Sequence, residues 1–160
     1  MWENLEKILS ALSSEYKILL ALAKKKHGVL INVNMGELEK ILKEEDIHTK
    51  NIAALEEKRK EILTKLAGLD KSLRPDMKMA EIYEAVSSPS RRVSLEKIHG
   101  ELTKLVDDTV AQNEINSILV HGAMQAVSVK LNRLGGADAT GGYGKSGDIV
   151  THKKNFDYKA

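Results

Sequence analysis

Apolar residues recur from Asn4 to about Val33 with a 4-3 spacing: Leu5, Leu9, Leu12, Tyr16, Leu19 and Ala23, widened by Ile8, Leu20 and Leu22. That rhythm predicts an amphipathic helix whose seam is broad enough to meet two neighbours. Asn34-Met35-Gly36-Glu37 supplies a break and a restart, with Asn34 as cap and Glu37 placed to reach back in a capping box. A second helix follows from about Met35 to Ala67, with its seam at Leu38, Ile41, Ile52, Leu55, Ile62 and Leu66. Glu45, His48 and Arg59 fall on the same track, so they either set the pairing register or mark an incompletely buried seam. Gly68 is placed to stop this helix.

Residues Leu69 to Ser88 form a looser connection. Arg74-Pro75-Asp76 reads as a turn, and Asp76 can cap a short helix reaching Ala85, with Met79, Ile82 and Val86 on one side. Ser88 as cap, with Pro89 in the first helical position, starts a third long helix that runs to Leu134, where Gly135-Gly136 ends it. Its first half carries Leu95, Ile98, Leu102, Leu105 and Val106. The stripe turns polar at Thr109, Gln112, Asn113 and Asn116, then resumes with Ile115, Ile118, Leu119, Val127 and Leu131. Gly100 and Gly122 are the places where such a helix can bend. The expected fold is therefore all-α: an antiparallel bundle of three long helices plus one short helix, occupying residues 1–134. A flexible partner-binding tail, residues 135–160, follows. The short connections favour intramolecular antiparallel packing over a parallel coiled coil.

The tail changes the functional picture. It holds three of the chain's six aromatic residues, Tyr143, Phe156 and Tyr158, beside six of its eleven glycines. Ordering glycine-rich sequence costs roughly 1–2 kcal/mol of backbone entropy per residue, so rings placed there need another molecule to receive them. A third helix longer than its neighbours should also leave part of its apolar side uncovered at one end. Ile115, Ile118, Leu119, Val127 and Leu131, together with Tyr143, Phe156 and Tyr158, are the candidate partner-binding residues, in the manner of a helix received along a groove.

Charge and candidate chemistry narrow the options further. A net charge of +2 in 160 residues gives no ground for nucleic acid. The longest uninterrupted apolar run, Ile18 to Ala23, is far short of the ~18 residues of a membrane span, and the Met1-Trp2-Glu3 start lacks signal-peptide design. The expectation is a cytoplasmic protein with no membrane insertion. No cysteine is present, which excludes disulfides and thiolate chemistry. His27, His48, His99, His121 and His152 show no metal-ligand spacing. Gly144-Lys145-Ser146 is not a phosphate-binding loop, because the required first glycine would stand at Ala139 and a helix, not a strand, precedes it. Asp107-Asp108 and Glu44-Glu45-Asp46 point in different directions on a helix and read as solvated faces. No catalytic, cofactor or metal site is expected, and no enzymatic activity.

Two early helices joined by the polar turn Asn34-Met35-Gly36 precede the charged run Leu55-Glu-Glu-Lys-Arg-Lys-Glu-Ile-Leu63. Next comes a long helix carrying Asn113-Glu-Ile-Asn-Ser-Ile-Leu119, and last a glycine-broken tail with Tyr143-Gly144-Lys145 and a terminal Lys159-Ala160. This layout resembles the FlgN-type flagellar export chaperones across essentially the whole chain. The resemblance implies a cytosolic, non-enzymatic helical chaperone, without a cofactor, that holds the carboxy-terminal helices of hook-associated proteins. It also implies delivery of those clients to the flagellar export apparatus and substrate contacts mainly in the carboxy-terminal part. The competing reading is a structural coiled-coil protein that self-associates as a homo-oligomer and has no client.

Overall fold

Leu5, Leu9 and Leu12 are completely shielded from solvent on one side of α1 (Trp2–Ile31), and Tyr16 continues the line. A side chain of this kind contributes roughly 1.5–3 kcal/mol when fully buried. The seam therefore fixes which face of α1 turns inward. The computed structural model describes residues 1–71, 73–74 and 77–134. After α1 come α2 (Met35–Leu69), the short α3 (Met79–Glu84) and α4 (Pro89–Leu134). The described residues divide into two compact units, residues 1–119 and residues from 120 onward.

In the first unit α1 and α2 form an antiparallel hairpin, and cross-helix polar pairs set its register. Lys26 reaches Glu45 at 2.7 Å, and His48 Nδ1 lies 2.6 Å from Glu15 Oε2, all of them half-buried. Two of the polar residues on the α2 seam are thus register-setting contacts, while Arg59 is held by Glu56 of its own helix at 2.8 Å. The return strand of the bundle is α4. Asn116 meets Ala23 and His27 near the far end of α1, while Arg91 acts electrostatically on Glu3 at the near end. α4 therefore runs parallel to α1 and opposite to α2. Leu95, Leu102 and Val106 join Leu5, Leu9, Leu12, Ile52, Leu63 and Leu66 in one core, closed at one end by Leu73, Met79, Ile82, Tyr83 and Val86.

Local chemistry at the helix ends departs from expectation in three places. α1 runs through Gly28 and closes in a Schellman arrangement: Asn34 N–H donates to Val29 O (3.1 Å) and Val33 N–H to Leu30 O (3.3 Å). The left-handed position that glycine usually fills is Val33, at φ 53°. Asn34 does cap α2, its side chain accepting from Glu37 N–H at 3.2 Å. Glu37 does not complete the capping box; its carboxylate binds Lys25 and Lys40 instead, and Lys25 above all holds it below the usual carboxylate range. Gly68 does not stop α2, which continues to Leu69 and ends at Asp70 in an extended conformation. Asp76 lies outside the described residues. α3 begins after Lys78, whose N–H is accepted by Glu81 at 3.1 Å.

Candidate functional site

The polar interruption of the α4 stripe is a buried contact. Asn116, only 3 % exposed, donates from Nδ2 to Ala23 O at 2.8 Å, and its Oδ1 faces His27 Nδ1 at 3.3 Å. Thr109 is equally enclosed and returns its hydroxyl to Leu105 O at 2.6 Å. Ala23 leaves room on α1 for these polar side chains, so α4 docks here by hydrogen bonding where elsewhere it docks by leucine packing. Ile115 and Ile118 flank Asn116 in sequence and consequently point away from α1, with Ile118 71 % exposed. Leu119 is half-buried.

The second unit contains the remaining part of α4. Every residue from Val120 to Leu134 is exposed. Within it Val120, Met124, Val127, Leu131 and Leu134 follow one another at steps of four, three, four and three, which places them along a single helical face. Their exposures run from 38 % at Val120 to 74 % at Leu134. The face is about 21 Å long at 1.5 Å per residue. Single exposed aliphatic residues are ordinary, but five in one unbroken seam are not.

The predicted residues are thus distributed over two surfaces. Ile115, Ile118 and Leu119 belong to the first unit, where the two isoleucines share an outward face. Val127 and Leu131 belong to the second and lie together on the seam. Val120, Met124 and Leu134 complete that seam and were missed by the sequence reading, although the 4-3-4-3 spacing was present. The interposed Gly122, Ala123 and Ala126 obscured it. Tyr143, Phe156 and Tyr158 lie outside the described residues.

The other concentration of perturbed groups, beneath α3, has the character of core. Tyr83 and His99 stack edge to face with ring centroids 5.7 Å apart. Burial pushes the Tyr83 hydroxyl well above its ordinary value, and that hydroxyl has no hydrogen-bond partner. Burial, with help from Arg59, pushes His99 below the ordinary histidine value. Both rings are thereby held neutral. Among the described residues no group of three His, Cys, Asp or Glu is gathered as a metal site would require, and no helix is long and apolar enough to cross a membrane.

A family model described as FlgN protein matches residues 1–151. The chain belongs to the FlgN family. This is the flagellar export chaperone family that the helix layout and tail resemble, a family of chaperones and not of enzymes. No curated protein and no solved structure matches the chain.

Proposed function

We propose that this FlgN family member is a cytoplasmic type III export chaperone that holds the carboxy-terminal helices of hook-associated proteins and delivers them to the flagellar export apparatus. The observation carrying this reading is the uncovered seam Val120–Met124–Val127–Leu131–Leu134. An amphipathic client helix laid along it would bury the apolar faces of both molecules, anchored at i, i+3, i+4 and i+7. Covering the client in this way prevents it from pairing with copies of itself before export. Residues 135–160 add a second grip through Tyr143, Phe156 and Tyr158, and Ile115, Ile118 and Leu119 offer a further contact of their own.

The test is titration of the full chain with the carboxy-terminal segment of a hook-associated protein. Replacing Val127 and Leu131 together by Asp should weaken binding at least ~10-fold, since two apolar anchors of roughly 1.5–3 kcal/mol each are replaced by charge. Removal of residues 135–160 should weaken it further. Helical content and thermal stability should stay unchanged, because both side chains are exposed. Undiminished binding by both variants would refute the assignment of the surface. A tight homodimer with no affinity for the client would favour a self-associating coiled-coil protein instead.

A further inference from the structure

Charge along α4 is partitioned. Its carboxylates, Glu96, Glu101, Asp107, Asp108 and Glu114, all precede Ile115, and none occurs from Ile115 to Leu134. The charged residues of that last stretch are Lys130 and Arg133. Lys130 is one residue before Leu131 and borders the apolar seam; Arg133 lies further round on the same side. Both are exposed, and neither is engaged in an ion pair among the described residues. Some cations elsewhere are ion-paired, as Lys43 is with Glu39, Lys50 with Asp46 and Arg92 of α4 with Glu96. Earlier in α4, Lys97 and Lys104 have Glu101 and Asp108 one turn on in the sequence, whereas Lys130 and Arg133 have no carboxylate on their own helix within a turn.

From this we infer that the seam receives an amphipathic helix whose apolar stripe is flanked by Asp or Glu on the side that meets Lys130 and Arg133. The inference rests on the docking reading above and specifies its occupant. Ala123 and Ser128 beside the seam are small, so a partner backbone can approach closely and bring its flanking carboxylates within reach. A second copy of this chain is a poor occupant. In either orientation it would bring the same carboxylate-free stretch, leaving the Lys130 and Arg133 of both copies without an acidic partner. An anionic lipid surface is also a poor match, because two cations and a seam without tryptophan or phenylalanine fall short of what holds an interfacial helix.

The experiment uses the full chain and two synthetic helical peptides with the same Leu/Val seam, one with Glu at its flanking positions and one with Lys. The Glu-flanked peptide should bind about three- to tenfold more tightly at ~50 mM salt, and the gap should close at ~500 mM as screening shortens the reach of exposed charges. The double variant K130E/R133E should invert the preference while leaving the fold intact. Equal binding of both peptides, insensitive to salt, would overturn the charge inference and leave apolar docking standing. Binding of neither peptide would overturn both. Sedimentation showing a dimer that V127D/L131D dissociates would make a second copy the occupant, and tighter binding to phosphatidylglycerol vesicles than to either peptide would make it a membrane.

Discussion

Val33 offers a clean test of how the first hairpin is built. Its φ of 53° puts a β-branched residue in the left-handed region, which costs an L-amino acid roughly 1–2 kcal/mol. The side chain recovers little of this, being 74 % exposed at the hairpin tip. Val33→Gly removes the steric cost but frees the unfolded chain, which gives back about 0.5–1 kcal/mol. The expected net effect is a stabilisation of about 0.5–1 kcal/mol, seen as a higher urea midpoint with an unchanged m-value. Val33→Asn should gain a similar amount, because asparagine tolerates this conformation without glycine's added freedom. Val33→Ala removes only the branch and should gain less. A destabilisation by Val33→Gly of 0.5 kcal/mol or more would mean that the valine packs against something, and the hairpin description would be wrong.

Two further outcomes are expected elsewhere in the bundle. Asn116→Ala should cost about 1–3 kcal/mol of stability in urea unfolding, because it deletes the 2.8 Å bond to Ala23 O and leaves a void against α1; Gln112→Ala, which loses only a 3.4 Å contact, should cost less than about 0.5 kcal/mol. His99 titrates below the ordinary histidine value in the folded state, so protons favour the unfolded chain. Its contribution is therefore intact above about pH 6.5, the unfolded value, and is lost progressively as pH falls from there through the lower folded-state value. Urea midpoints at pH 7.5 and 5.5 should differ less in His99→Gln than in the parent chain, and an unchanged difference would place His99 in solvent.

The helices were legible because their seams repeat over many turns. Leu5, Leu9, Leu12 and Tyr16 announce the buried face of α1, and Pro89 after Ser88 marks the first residue of α4. The ends were less legible because competing local bonds decide them. Glu37 has a capping role available, yet two lysines within reach take its carboxylate. Gly68 resembles a stop, but Leu66 O goes on to accept from Asp70 N–H, and the helix proceeds through the glycine. Val33 could not be foreseen at all, since no propensity favours valine in that conformation.

The candidate surface was read unevenly for a related reason. The sequence places Thr109, Gln112, Asn113 and Asn116 on the stripe as a polar interruption, with Ile115, Ile118, Leu119, Val127 and Leu131 as its continuation. Asn116 keeps its place on the stripe, its amide finding a carbonyl on α1, but its neighbours Ile115 and Ile118 do not continue it and are turned out. With Asn116 inside, Leu119, three residues on, stays half-buried on the same face, while Ile115 and Ile118 lie on another. The exposed seam then has to be counted afresh from Val120. Counted that way, it gains Val120, Met124 and Leu134 and acquires a charged border in Lys130, with Arg133 further round on the same side. A five-residue seam with one-sided charge discriminates among partners in a way that a merely greasy helix does not. In the docking proposed above, apolar contact would set how strongly a client is held, and the basic edge which client, in which orientation, is accepted.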